Sequence, residues 1–553
     1  MTATDPLPRT AYTHEVTNQP PPLDGFDPLA CDPALADAVR SHAGPDALAA
    51  LGALAREAGS ATAREHGRLA ERQHPQLHTH DRYGHRVDEV EFHPSWHWLM
   101  SRAVGYGLHA APWGADAAPG AHTLRAAGFY LWSQVEPGHG CPLSMTYAAV
   151  PALRHAPELA AQWEPGLCSR SYDPGLRVPS GKDGLLAGMS MTEKQGGSDV
   201  RANTTTATPT GEGTHRLVGH KWFTSAPMND VFLTLAQAPG GLSCYAVPRV
   251  LPDGTRNGIR IQRLKDKLGN RANASSEIEY DGALGWPVGE EGRGVATIID
   301  MVTMTRLDCV LGSASTVRAA LSEAAHHVAH RSAFGTRLAD APLMAAVVAD
   351  LAVESEAATV LALRLAAAVD AAQAGDATAR ALLRLALPAS KYYVCKRSPA
   401  VVAEALECLG GNGYVEESGL PRLYREAPLN SIWEGSGNVT ALDILRALAR
   451  DGETVVQGLR AELDPVAGTH PVLDFAVARL HAEIADPRPE RARRLAELIA
   501  LCLQGSLLLR QAPTAVAEAF LSSRLGADAT GRTLGVLPEG AEIRTLVDRV
   551  TPR

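Results

Sequence analysis

Arg216-Leu217-Val218-Gly219-His220-Lys221-Trp222-Phe223, Val231-Phe232-Leu233-Thr234-Leu235-Ala236-Gln237 and Leu242-Ser243-Cys244-Tyr245-Ala246-Val247 are short apolar runs near the middle of the chain. β-Branched and aromatic residues enrich them and Gly, Asn and Asp separate them, as in strands joined by turns. A further run at 259–264 extends the series, so residues 185–290 are expected to form a compact β domain. Outward in both directions the apolar period becomes helical. Residues 33–168 carry Ala/Leu-rich segments such as Ala47-Leu48-Ala49-Ala50-Leu51, punctuated by Gly and Pro. After Gly294 come long stretches at 304–331, 343–372 and 378–396, whose length and short links predict an antiparallel bundle. The expected class is α+β: an arm and helical domain over 1–184, the β domain over 185–290, a helical bundle over 291–450, and an extra helical domain over 451–553 with helices at 475–485, 490–509 and 515–524. The first thirty residues, with Pro20-Pro21-Pro22, read as an extended arm.

Bulk properties restrict the function. A chain of 553 residues exceeds one core and calls for three or four domains. The net charge of -9 and pI near 6.1 give no global attraction to nucleic acid or to an anionic membrane, so DNA binding would need a local patch. The eight cysteines stand singly, which argues for a reduced, cytoplasmic protein. No apolar run reaches membrane-spanning length; 498–509 is broken by Gln504-Gly505-Ser506.

Chemistry concentrates in a few motifs. Ser431-Ile432-Trp433-Glu434-Gly435-Ser436-Gly437-Asn438 sets one carboxylate between an aromatic and small residues before a helical run. Partial desolvation there would raise the carboxyl pKa toward that of a general base. The alternative is an ordinary helix start, with Asn438 or Ser436 as N-cap. Some 240 residues upstream stand Met191-Thr192-Glu193-Lys194-Gln195-Gly196-Gly197-Ser198-Asp199-Val200 and Gly219-His220-Lys221-Trp222-Phe223-Thr224-Ser225. Between these lie Leu264-Lys265-Asp266-Lys267-Leu268-Gly269-Asn270-Arg271, Arg331-Ser332-Ala333-Phe334-Gly335 and Leu409-Gly410-Gly411-Asn412-Gly413-Tyr414.

In order and spacing these motifs resemble the acyl-CoA dehydrogenase superfamily, and in wording its AidB branch, the flavoproteins tied to the bacterial response to DNA alkylation. The match runs from about Asn18 to about residue 450. The resemblance implies an N-terminal helical domain, a β-barrel-like middle domain, a C-terminal bundle, and the added helical domain of the AidB branch. It implies FAD as cofactor, with Met191, Thr192, Ser198, Trp222, Phe223, Thr224 and Ser225 on the flavin side. By the same resemblance Thr192 contacts the pyrimidine end, Ser198 lies by the pyrophosphate or pantetheine, Trp222 covers a ring face and Thr224 bonds near N5. Trp433, Gly435, Ser436 and Asn438 are the neighbours of Glu434, the implied base; Thr305 and Arg306 match a pair close to the thioester, with a helix-surface salt bridge as the alternative. Arg331, Phe334, Gly410, Gly411 and Gly413 would hold the adenosine half of the FAD of a neighbouring subunit in a homotetramer, a dimer of dimers. Glu407 and Pro342 depart from the family, each standing where relatives often carry Gln, and would weaken those contacts.

Two functions follow from the resemblance. One is oxidation of a short or branched acyl thioester such as isovaleryl-CoA. The other is a flavoprotein that binds double-stranded DNA, with vestigial dehydrogenation. For the latter, residues 451–553 hold 12 Arg, no Lys and 14 acidic residues, a balance of -2. Only Arg488, Arg491, Arg493 and Arg494 form a local cluster, for which a solvated helix start is the simpler expectation. No metal site is expected: His74, His78, His80 and His85 suit an exposed loop, and His93 and His97 suit packing.

Overall fold

The computed structural model describes residues 13–527, 533–534, 536–538 and 540–552. A hairpin of β1 (Gln76–His80) and β2 (Arg86–Glu91) lies among the first helices. The middle of the chain supplies β3 (Ala187–Ser190), β4 (Thr206–Pro209), β5 (His215–Ser225), β6 (Val231–Ala238), β7 (Gly241–Pro248), β8 (Ile259–Leu264) and β9 (Ser275–Val288). They run in the order β3-β6-β4-β5-β9-β7, with β8 on β9, and β7 returns to pair with β6. That return closes a ring of β6, β4, β5, β9 and β7, with β3 and β8 each attached by one pairing, and makes the domain barrel-like as expected. β9 pairs with β5, β7 and β8 and bends around the ring.

One irregularity shapes the rest. Lys221 opposes Ile278 and Thr224 opposes Ser276, so β5 fits an extra residue between them. Such a bulge re-aims side chains, here those of Trp222 and Phe223. Immediately before it, Lys221 points inward and its Nζ meets Glu193 Oε1 at 2.8 Å and the Leu235 carbonyl at 2.8 Å. Glu193 also accepts bonds from the amides and hydroxyls of Thr204 and Thr205. This buried pair fastens the 192–199 loop to the barrel.

The N-terminal helices are α1 (Pro33–Ala43), α2 (Pro45–Ala58), α3 (Ala61–Arg72), α4 (Pro94–Gly105), α5 (Ala121–Ser133), α6 (Gly140–Leu153) and α7 (Pro157–Leu167); α6 packs on β3 of the barrel, and α1 and α5 pack on the long helices that follow. The bundle is α8 (Gly294–His330), α9 (Pro342–Gln373), α10 (Ala377–Glu407), the short α11 (Leu420–Glu426) and α12 (Gly437–Leu463). α10 stays continuous through Pro388 and Pro399 and packs against α8, α9 and α12. α12 crosses residue 451, bending at Gly452, where φ is 40° and ψ -119°. After it come α13 (Pro471–Ala485), α14 (Ala492–Gln511), α15 (Thr514–Arg524) and α16 (Ile543–Asp548). α14 lies on α9, α10 and α12, and Arg524 forms buried ion pairs with Asp350 and Glu354 of α9. These last helices thus share the bundle's core.

One local expectation changes and another holds. His78 and His80 belong to a strand rather than a loop, because 76–80 pairs antiparallel with 86–91. His93 caps α4 by accepting from the Ser95 amide, and His97 meets the Tyr172 hydroxyl at 2.7 Å, as packing groups. Residues 1–12 of the expected arm lie outside the described residues. Beyond them the arm runs extended to the end of α8, where the Asn18 side chain exchanges two bonds of 2.8 Å with the Ser332 backbone.

Lys221→Met leaves Glu193 charged and buried without its cation. The expected loss is about 3–5 kcal/mol, read from the urea unfolding midpoint.

Candidate active site

Glu434 lies in the turn between α11 and α12 with φ at +56°, a left-handed conformation that costs a non-glycine residue energy. Neighbouring elements hold it there. From α8, the Thr305 hydroxyl donates to Glu434 Oε2 at 2.6 Å, and Arg306 Nε donates to the Glu434 carbonyl at 3.0 Å. Arg306 Nη1 continues to Asp443 of α12 at 2.6 Å. From α10, Lys391 Nζ donates to the carbonyls of Trp433, at 2.6 Å, and Gly435. The Trp433 indole donates to Asn430 Oδ1 at 2.8 Å, which ties the turn to itself.

The glycines are required by space and conformation. Gly435 has φ at +97°, and a Cβ at Gly437 would fall 2.3 Å from Lys396 Cε. Ser436 occupies the N-cap of α12 but makes no capping bond through its side chain, and Asn438 is exposed in the first turn. The turn is therefore built around Glu434 rather than around a cap. Burial pushes the Glu434 carboxyl above the ordinary carboxylate range, while the Thr305 bond and the charges of Lys391 and Arg306 pull it back.

Thr305 and Arg306 are thus committed to Glu434 and Asp443, and the helix-surface salt bridge is not what forms: Arg306 is buried. Two groups of the site went unnoticed in the sequence. Lys391 was hidden inside an apolar helical run, although one Lys within 385–395 was a visible anomaly. Cys141 had no local signal at all.

Cys141, at the start of α6, joins the two distant motifs. Ser225 and Asn273 sit against its sulphur, and burial raises its thiol to about 11, with Lys267 lowering it and the charge of Glu434 raising it. The end of β5 and the Glu434 turn therefore converge on one place. Lys267 Nζ donates to the Asn273 carbonyl at 2.7 Å and Ser275 Oγ at 2.9 Å, and burial holds its pKa down to about 8.

On the barrel side the Trp222 amide donates to the Thr192 carbonyl at 2.7 Å, so the two upstream motifs are one unit. A Cβ at Gly197 would fall 2.4 Å from Thr192 Oγ1, which leaves glycine as the residue that lets the loop close over it. Ser198 is exposed, and among the described residues neither its hydroxyl nor that of Thr192 is engaged. Lys265 Nζ lies 3.2 Å from the centre of the Trp222 indole. Met191 is half-buried, its carbonyl accepting from Asn203 at 2.9 Å, and Phe223 is exposed. Thr224 is buried with its hydroxyl bonded to Ser190 Oγ, so it braces the strand end. Free hydroxyls, a glycine cradle and an indole face match the donor set that a phosphate-bearing tricyclic cofactor needs.

The remaining predicted residues lie elsewhere. Arg331 donates to the Asn18 carbonyl, Phe334 is fully exposed at φ +53°, and a Cβ at Gly410 or Gly411 would meet nothing within 4 Å. Gly413, by contrast, packs on the Leu406 carbonyl. Leu409 and Tyr414 line a cleft of about 1430 Å³ with His327 and Pro20–22. Pro342 opens α9 and Glu407 ends α10, exposed. Arg488 and Arg491 bond to Asp486, Arg494 to Glu483, and Arg493 to the Tyr392 hydroxyl of α10.

Comparison with known proteins agrees with this geometry. Residues 18–174 match the AidB N-terminal domain of adaptive response proteins, 188–283 the acyl-CoA dehydrogenase middle domain, and 292–449 the acyl-CoA dehydrogenase C-terminal domain. The chain is 46% identical over 512 residues to AidB of Escherichia coli (strain K12), named as an acyl-CoA dehydrogenase, covering 92% of this chain and 94% of that one. Caenorhabditis elegans ACDH-11, solved with C11-CoA, superposes with a TM-score of 0.83 at 28% identity, over 92% of this chain and 93% of its own. The apo form of Bd2924 gives 0.82 at 30% identity, over 89% and 99%.

Gly435→Ala forces a side chain into the left-handed region. The expected cost is about 1–2 kcal/mol, read as a lowered thermal midpoint.

Proposed function

The chain belongs to the acyl-CoA dehydrogenase family, as an FAD-dependent flavoprotein of its AidB branch, and from that premise we propose that Glu434 is the base that removes the α-proton of an acyl-CoA thioester. The observation that carries this is the Glu434 carboxyl itself, half-buried, bonded by Thr305 and held at φ +56° opposite the β5 end. An α-proton is far too weakly acidic for a free carboxylate unless charge growing on the thioester oxygen meets hydrogen-bond donors. The Glu434 amide has no partner among the described residues and is free to serve as one. Thr305 keeps one carboxylate oxygen in place, and Arg306, by binding the Glu434 carbonyl, stops the turn from relaxing. When bound, FAD supplies the acceptor for the hydride that leaves the β carbon. Thr192, Ser198 and Trp222 would hold it, with Met191, Phe223 and Ser225 around them and Thr224 behind. The acyl-CoA class is supported by the C11-CoA bound to the C. elegans relative, and isovaleryl-CoA is a suitable short, branched probe.

Phe334, Leu343, Tyr414 and Val415 are exposed apolar groups near Arg331 and the Gly410–Tyr414 turn. Large apolar side chains left exposed favour a subunit contact, and support a tetramer in which Arg331 and this turn reach the FAD of a neighbour. Binding of duplex DNA has less support. Each of Arg488, Arg491, Arg493 and Arg494 has a partner within the chain, which lowers the charge available to phosphates.

Isovaleryl-CoA added to the purified yellow protein is expected to bleach its flavin absorbance. Glu434→Gln should keep the colour and bleach at least about 10²-fold more slowly; undiminished bleaching in that variant overturns the assignment. Only the carboxylate form accepts a proton, so the rate should fall on acidification at a pH above the ordinary carboxylate range. Thr305→Val removes a bond that lowers the pKa, and should move that limb to higher pH in stopped-flow measurements. Duplex DNA retained in a gel-shift assay and lost on charge reversal at Arg491, Arg493 and Arg494 would instead favour the nucleic-acid function.

A further inference from the structure

Lys391 stands in the middle of α10 between Leu385, Leu387 and Val394, and is 1% exposed. Burying an ammonium group carries a large desolvation cost unless its protons are satisfied. Among the described residues it forms no ion pair. Its Nζ donates instead to the carbonyls of Trp433 and Gly435. These two carbonyls flank Glu434, the one residue of the turn that is neither glycine nor in a relaxed backbone region. A cation placed there opposes the relaxation of φ that Glu434 would otherwise undergo, because turning the peptide before Glu434 breaks the bond to the Trp433 carbonyl and turning the one after Gly435 breaks the other, while Arg306 holds the peptide between them.

We propose that Lys391 is a positioning residue for dehydrogenation: by tying the carbonyls on both sides of Glu434 it fixes the left-handed backbone that aims the carboxylate. The proposal rests on Glu434 being the base. Lys391 touches neither the carboxylate nor the reacting atoms, and acts through the backbone and through its charge. The groups facing Glu434 are Thr305, Arg306 and Cys309 from α8, Lys391 from α10, Cys141 from α6, and Asp443 from α12 by way of Arg306. Of the two cations, Arg306 is paired with Asp443, whereas the hydrogen-bond partners of Lys391 are two neutral carbonyls. Its loss should therefore be felt by the carboxylate more than its distance alone suggests.

The test uses the FAD-loaded full chain and three variants: Lys391→Met, which removes charge and donors, Lys391→Gln, which keeps donors, and Lys391→Arg, which keeps both. The first readout needs no substrate. The Glu434 carboxyl band, identified in difference infrared spectra as the band missing in Glu434→Gln, should titrate about half a pH unit or more higher in Lys391→Met and return toward wild type in Lys391→Arg. The second is flavin bleaching by isovaleryl-CoA, where Lys391→Met should lose about 10- to 100-fold in the limiting rate with half-saturation within about twofold, and Lys391→Arg should recover part of it. If Lys391→Met does not fold, Lys391→Gln reads the same band, shifted in the same direction. An unmoved band in the folded neutral variants overturns the proposal. So does a fall in stability and rate that Lys391→Arg fails to relieve, which would mark a purely structural lysine. Failure of the Glu434 assignment looks different, since Glu434→Gln would then bleach normally whatever Lys391 does.

Discussion

A glutamate held at positive φ between two long helices is the constraint around which the rest of this site is arranged. Left-handed backbone at a non-glycine residue persists only where the surroundings over-determine it. Here α8 grips the side chain through Thr305 and the carbonyl through Arg306, while α10 grips both flanking carbonyls through Lys391. Removing either helix would let the turn fall back toward an ordinary helix start. The long bundle is thus more than a scaffold, because its helices must run far enough to bring residues some 130 positions apart to one carboxylate.

The opposite wall depends on a different device. Within the closed ring a recess needs a local break in the pairing, and the bulge in β5 supplies one between Lys221 and Thr224. The Glu193–Lys221 pair beneath it holds the 192–199 loop against the strand, and Gly197 leaves room for Thr192. Strength at the base permits openness at the rim, where Ser198 and Phe223 stay exposed.

The helices after residue 451 deepen the bundle instead of standing apart from it. Arg524 enters the core of α9, and Arg493 reaches the Tyr392 hydroxyl, next in sequence to Lys391. A cluster that reads in one dimension as a basic patch becomes, in three, a set of guanidiniums facing acids and a phenol. Charge runs are poor guides for this reason: the chain shows how many arginines there are but not which acids fold back to meet them.

Helix, barrel and helix were legible because period and turn chemistry are local, and each run carries its own signal. Glu434 was legible because Trp, Gly and Ser around a lone carboxylate have a meaning before any folding is known, and the motifs of the acyl-CoA dehydrogenase family stand in order along the chain. The hairpin at 76–91 was missed because its strands are short, rich in His, Asp and Glu, and mostly exposed or half-buried, with Val90 the one buried apolar side chain. Cys141 and Lys267 acquire their surroundings only when α6 meets the β8–β9 link, and Lys391 only when α10 meets the Glu434 turn, since burial and hydrogen bonding depend on which surfaces face each other. Sequence alone determined the kinds of element and the chemistry in hand; tertiary packing decided which groups touch, because contacts between distant residues follow from the geometry of packed helices and a closed sheet, which no local pattern encodes.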